Sequence, residues 1–213
     1  MEFEDIRREI VDIGKKLVER RLTYGTCGNI SCRAPDGRRM LITPSGIPYE
    51  MIKPEDILIL NFHGEIEKGD LRPSVETPFH LAIYRRRGDV NAVIHIHSQY
   101  TLAVSAVSDF VPVFLDEIFS HIGGDLQVSR YALPGSAELA KNVIEALGDR
   151  NAALLSNHGA VCCGRNLKEA FEIAEIVEEI CKIFILSSSL GEIKILPDEG
   201  RKYQREMFEM KKT

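Results

Sequence analysis

The segment from Asn91 to Thr101, NAVIHIHSQYT, constrains this chain more than any other. Its apolar, β-branched composition favours an extended strand, in which successive side chains point to opposite faces. Ile94 and Ile96 must then enter a packing layer behind the strand, while His95 and His97 share the other face. Two imidazoles on one side of a rigid element offer two nitrogen ligands. A divalent ion needs at least one more ligand to be held firmly, and His158 in SNHGAV and Glu76 in PSVETPFH are the candidates. Glu76 has a plainer reading beside that one, as an acidic residue at a helix start stabilised by the helix dipole.

A length of 213 residues suits one ordinary domain or one large α/β unit, and we expect a single domain over 1–213. With 44% apolar and 28% charged residues the composition is that of a globular protein. The net charge of −5, with Lys and Arg interleaved among Asp and Glu, argues against a nucleic-acid partner. The start MEFEDIRREI is charged from its second residue, unlike a secretory signal, and no apolar run reaches bilayer length, so a cytoplasmic protein without a membrane partner is expected. Five cysteines, Cys27, Cys32, Cys162, Cys163 and Cys181, are an odd count without C-x-x-C spacing, which reads as reduced, buried thiols.

Helical spacing of Phe3, Ile6, Ile10, Ile13 and Leu17 predicts an amphipathic helix near residues 3–20. The glycines of YGTCGNISCR suit either a helix C-cap running into a hairpin or a turn whose amides, with Thr26 and Asn29, face an anion. A hairpin is expected from Asn29 to Arg33 and Arg39 to Thr43 around PDGR, and TPSGIPYE supplies a second polar turn with Ser45 and Gly46. DILILNF reads as a buried strand returning through EIEKG, with His63 in a solvated turn. PSVETPFHLAIYRRRG reads as a helix capped by Ser74 or Thr77 and stopped by Gly88, with His80 a packed or hydrogen-bonded helix histidine. TLAVSAV is expected as a short helix and VPVFL as a short strand. DEIFSHIGG, with Asp116, Glu117 and His121, reads as a loop or an element end at a site rim. A helix capped by Ser136 over 136–147, two strands flanking the turn at Asn157, His158 and Gly159, and a long helix opened by Asn166 and Glu169 complete the pattern. Residues beyond it read as a polar tail with Tyr203 and Phe208, expected either to dock against a neighbour or to cover a site.

Taken together, the succession GTCGN, LITPSGIPYE, PSVE, HIH and NHG resembles the class II aldolase and adducin head family, in order and spacing, from about Ile6 to Leu190. The resemblance implies α/β/α layers around a mainly antiparallel central sheet, and a homotetramer with active sites at subunit interfaces. It implies Zn²⁺, or another divalent cation such as Mn²⁺ or Co²⁺, on His95, His97 and His158 with Glu76 as fourth ligand. It also implies a phosphate pocket from Thr26, Gly28, Asn29, Ser45, Gly46 and Ser74.

The implied reaction is cleavage of a ketose 1-phosphate, such as L-fuculose 1-phosphate, to dihydroxyacetone phosphate and an aldehyde. Breaking that carbon–carbon bond leaves negative charge on an enediolate, which a bound cation neutralises as it forms. Glu76 is the expected catalytic residue, moving protons once substrate has taken its place. Two departures bear on this expectation. Val75 stands where the sugar-phosphate aldolases carry a second serine, and Asp116 or Glu117 falls near the position of a tyrosine from the neighbouring subunit. The proton donor is then Asp116, Glu117, His121 or Tyr203. A pentulose-phosphate 4-epimerase or a methylthioribulose-1-phosphate dehydratase would use the same scaffold, and Glu76, where the epimerases tend to carry Asp, favours the aldolase. A non-catalytic adducin-like interaction module lacks the histidines present here, and a metal-dependent hydrolase would use the same ligands.

Overall fold

The computed structural model describes residues 1–212. In chain order it contains α1 (Glu4–Glu19), β1 (Asn29–Arg33), β2 (Arg39–Ile42), β3 (Leu58–Asn61), β4 (Ile66–Lys68), α2 (Thr77–Arg86), β5 (Ala92–Ile96) and α3 (Gln99–Ser105). There follow β6 (Phe110–Val111), β7 (Leu126–Ser129), α4 (Ala137–Leu147), β8 (Ala152–Leu155), β9 (Gly159–Gly164), α5 (Leu167–Leu190) and α6 (Asp198–Lys212).

The strands form one sheet in the order β4-β3-β2-β1-β5-β9-β8-β7-β6. The β7 to β8 pairing is parallel and the other described pairings are antiparallel, so the sheet is mainly antiparallel as expected. Period-two alternation divides its side chains between two cores. Ile30, Leu41, Ile94, Ile96, Leu154 and Cys162 pack beneath α1, α3 and α5, while Met40, Ile42, Val93, Leu155 and Val161 pack beneath α2 and α4. Ile94 and Ile96 are fully buried. Burial contributes roughly 1.5–3 kcal/mol for each such side chain, and a one-residue slip of β5 would exchange both with polar neighbours. The two isoleucines therefore hold the register that turns His95 to the other face.

Two helix caps match the sequence reading: Ser136 Oγ accepts from Leu139 N at 3.0 Å, and Asn166 Oδ1 accepts from Glu169 N at 2.9 Å. Other expectations are corrected. The N-cap of α2 is Glu76, not Ser74 or Thr77, because Ser74 Oγ instead accepts from the Glu76 amide at 3.3 Å in a tight turn. Of the two readings of DEIFSHIGG the loop fails and the element end holds, because Ile118–Ile122 winds as one π-helical turn closed by Gly123 at φ +95°. The polar tail is the helix α6, whose Phe208 is buried against that turn, so it covers its own chain's core. The strand β7 was not anticipated. The cysteines are free thiols, four of them buried. Among the described residues no helix is long and apolar enough to cross a membrane.

Candidate metal centre

The antiparallel pairing of β5 with β9 sets Ile96 opposite Ala160, and so brings the turn before β9 against the end of the H-x-H strand. That turn holds Asn157 at φ +56° and Gly159 at φ +145°. A side chain at Gly159 would put its Cβ 2.2 Å from the Ile96 carbonyl oxygen, so only glycine lets the turn carrying His158 approach this closely. Gly28 plays the same part on the other side of β5, where a Cβ would fall 2.5 Å from the His95 carbonyl oxygen. His97 lies one residue beyond β5, and its amide donates to the Leu22 carbonyl at 3.1 Å.

These constraints converge the side chains of His95, His97, His158 and Glu76, with one ligand atom from each lying within 4.8 Å of all the others. His97 Nε2 lies 2.7 Å from His95 Nε2, His95 Nε2 lies 3.1 Å from Glu76 Oε2, and His158 Nε2 lies 3.0 Å from Glu76 Oε1. His95 is fully buried, and the Phe79 ring edge packs on it at 5.6 Å.

The protons available to this cluster decide whether it fits a cation. His95 Nδ1 faces the Ala160 carbonyl at 2.9 Å and must be the donor, so in the neutral ring Nε2 carries a lone pair. That lone pair points at a carboxylate oxygen and at a second imidazole. Glu76 Oε1 and His158 Nδ1 are buried without a hydrogen-bond partner, despite the short approach of Oε1 to His158. Lone pairs thus face one another with too few protons between them, which suits a divalent cation held by three imidazoles and a carboxylate. The Ala160 carbonyl is the outer partner that fixes the His95 tautomer for such a role.

Electrostatics keep the set in its ligating forms. Burial by itself would raise the Glu76 pKa, but His95, His158 and the Asn29 hydrogen bond outweigh it and hold the carboxyl well below the usual range. Burial, reinforced by His95 and His158, pushes His97 down to about 3, and burial lowers His95 as well.

The expected phosphate-binding residues lie on three turns joined through Thr43. Its Oγ1 accepts from Ile30 N at 3.2 Å and its carbonyl accepts from Ser74 N at 3.2 Å, while Pro44 bridges Pro73. The bridge is antiparallel, so Ser74 lies opposite Thr43 and Ser45 lies opposite Arg72, one residue to either side of it. The Ser45 amide is taken by the Arg72 carbonyl at 2.8 Å, so this turn offers its hydroxyl and Gly46, which has open space around it. Thr26 is exposed and Gly28 adopts φ +73° in the neighbouring turn. Asn29 is placed differently from expectation. Its Nδ2 donates to Glu76 Oε2 at 2.7 Å and its Oδ1 accepts from His80, so the side chain belongs to the metal cluster.

None of the expected proton donors joins the cluster within one chain. His121 lines a cavity with Asp89, Arg165 and Phe208 at the opposite ends of β5 and β9. Asp116 and Glu117 are exposed before the π-helical turn, and Tyr203 is exposed on α6. His80 is hydrogen-bonded as well as packed, and with Ser31 and Tyr84, to which the sequence reading assigns no role, it forms a buried polar chain ending at Asn29. The signal was there in the spacing: 29 and 31 share a strand face, and 76, 80 and 84 share a helix face.

The family described as Class II Aldolase and Adducin N-terminal domain matches residues 8–185. Over 203 residues, 95% of each chain, the protein is 37% identical to a 5-deoxy-D-ribulose 1-phosphate aldolase of Bacillus thuringiensis serovar kurstaki. Over 200 residues, 93% of this chain and 92% of the relative, it is 36% identical to the L-fuculose phosphate aldolase of Escherichia coli K12. A solved structure of L-fuculose 1-phosphate aldolase superimposes with a TM-score of 0.92 at 39% identity, covering 96% of both chains.

Proposed function

The chain belongs to the class II aldolase and adducin family, and from that premise we propose that it is a divalent-metal-dependent aldolase acting on a ketose 1-phosphate. The products would be dihydroxyacetone phosphate and an aldehyde. One observation carries this reading: three imidazoles and a carboxylate converge beside polar turns that are stitched to the same strand. Relatives acting on 5-deoxy-D-ribulose 1-phosphate and L-fuculose phosphate support the substrate class.

His95, His97, His158 and Glu76 would hold a divalent cation, which would supply electrophilic stabilisation of the negative charge that develops as the carbon–carbon bond parts. The Thr26, Gly28, Ser45, Gly46 and Ser74 turns bind the phosphate and so orient the substrate without taking part in bond cleavage. Glu76, ionised and held at Oε2 by Asn29, is the group placed to move a proton at the reacting carbon through Oε1. The buried Phe79 and the packed faces of β5 and β9 keep bulk water from the ligand side of His95. Exposed Val107, Phe110, Tyr131 and Leu133 support a self-associating form, which we expect to be a homotetramer and which sedimentation velocity tests.

The deciding experiment incubates the purified, metal-analysed protein with a panel of ketose 1-phosphates and 5-phosphates. Release of dihydroxyacetone phosphate is the expected result. Appearance of a new pentulose phosphate would make it an epimerase, loss of water from a methylthioribulose phosphate would make it a dehydratase, and silence across the panel would sink the reading.

A further inference from the structure

Behind Glu76 runs a continuous line of buried polar side chains whose hydrogen bonds have one direction only. Glu76 is 6% exposed, Asn29 4%, His80 and Ser31 0%, and Tyr84 3%, so each polar atom must find its partner within the protein. An ionised carboxylate only accepts, so the 2.7 Å contact to Glu76 Oε2 must come from Asn29 Nδ2. Asn29 Oδ1 then faces His80 Nε2 at 2.5 Å, and an amide oxygen only accepts, so Nε2 carries the proton. A neutral His80 is left with a lone pair on Nδ1, which accepts from Ser31 Oγ at 2.7 Å. Having given its proton, Ser31 accepts in turn from the Tyr84 hydroxyl at 2.8 Å.

Resting on the proposed role of Glu76, we infer that His80 is a positioning residue, whose Nε2–H tautomer, matched on its far side by the Ser31 and Tyr84 hydroxyls, holds the Asn29 amide oxygen and thereby keeps the amide that aims Glu76 in place. Asn29 has two ends that differ only in which atom donates, and a flipped amide would set its oxygen against the carboxylate. The His80 N–H forbids that flip. Stacking of Phe79 on His80 at 4.6 Å prevents the ring from turning out of line, and complete burial keeps it neutral. The consequence is a division of labour within one carboxylate. Oε2 is held from behind, and Oε1, which has no hydrogen-bond donor, is reserved for the cation and the reacting proton.

Two measurements test this. In ¹⁵N-labelled wild-type protein at neutral pH, ring-nitrogen spectra should give the His80 resonances, identified by their loss in His80→Gln, the pattern of a neutral Nε2–H ring. An Nδ1–H or doubly protonated ring would overturn the relay whatever the substrate proves to be. In the metal-loaded enzyme, His80→Leu should lower kcat by roughly 10–100-fold and weaken metal binding by about 10-fold while leaving KM within about twofold, the scale typical of outer partners of a metal ligand. His80→Gln, whose amide can still donate toward Asn29, should recover kcat to within about fivefold of wild type on the same scale. Equal impairment of the Leu and Gln variants, or an unimpaired Leu variant, would overturn the positioning role. If His80→Leu does not fold, the wild-type ring-nitrogen spectra still decide the matter, because an Nδ1–H ring has no proton at Nε2 to give to Asn29 Oδ1. An inactive wild type would sink the aldolase reading alone, because the tautomer and the metal affinity are read without substrate.

Discussion

Asn29 and Glu76 lie 47 residues apart in the chain, yet the amide of one donates to the carboxylate of the other at 2.7 Å in a buried setting. The bond ties the start of β1 to the N-cap of α2. Asn29→Leu keeps the volume but strips a donor from a buried charge and leaves the His80 N–H unpaired. A hydrogen bond to a charged group is worth about 1.5–3 kcal/mol, so a stability loss of that order is expected in urea unfolding. A variant as stable as wild type would mean the bond is not made.

Glu76→Gln retains the shape and one oxygen but cannot take up a proton. Metal content should stay near wild type, because three imidazoles remain, while turnover falls by roughly 10²–10⁴-fold, the usual worth of a positioned general base. Metal analysis and steady-state kinetics on one preparation decide it, and normal turnover would remove Glu76 from the chemistry.

Acid should destabilise the metal-free protein, in part through His80. Burial lowers this histidine from an ordinary value of 6.5 to about 3, with Glu76 opposing and His95 adding to the effect. As pH falls through 6.5 the unfolded chain takes up a proton that the folded ring refuses until about 3, so the folded state is increasingly disfavoured over that window. One such group contributes at most about 1.4 kcal/mol per pH unit. Urea midpoints at pH 7, 6 and 5 should fall less steeply for His80→Gln than for wild type. Parallel slopes would contradict a neutral buried His80.

Ser45→Asp places a carboxylate in the turn expected to meet the substrate phosphate, where like charges repel. KM for the phosphorylated ketose should rise at least about tenfold, corresponding to about 1.4 kcal/mol of lost binding, with metal content unchanged. An unchanged KM would move the phosphate site elsewhere.

Gly159→Ala drives a Cβ to within 2.2 Å of the Ile96 carbonyl at a φ of +145°. The turn must retreat and carry His158 with it. A residue forced into such a backbone region costs about 1–3 kcal/mol, and metal affinity should fall by about tenfold or more. Titration with Zn²⁺ or Co²⁺ reads the change, and wild-type affinity would show that the turn does not set the His158 position.

How far these features could be read in advance depends on the range of the physics that sets them. His95 and His97 share a face because strand geometry has a period of two, and Ile94 and Ile96 show by composition which face is packed. The Ser136 and Asn166 caps are likewise decided within four residues. The α2 cap was misread for an equally local reason, since Ser74, Glu76 and Thr77 all compete for the same turn. The packing at the end of the π-helical turn Ile118–Ile122 is not local, since the ring against Gly123 is that of Phe208, roughly ninety residues on in a segment that reads as a polar tail.

What the amino-acid order determined alone is the periodic part: amphipathic helices, alternating strands, turns that need glycine, and the chemistry of the side chains on offer. Where those side chains meet was decided by the sheet order, which sets β1 beside β5 and β5 beside β9 and so brings residues 29, 95 and 158 together. The reason is that propensity and period act over a few residues, whereas the spacing between imidazoles and carboxylate depends on strand register and on two glycines that permit contact. The allocation of Asn29 to Glu76 is the clearest case, because its amide suits an anion in a turn equally well and only the packed position of α2 chose between them.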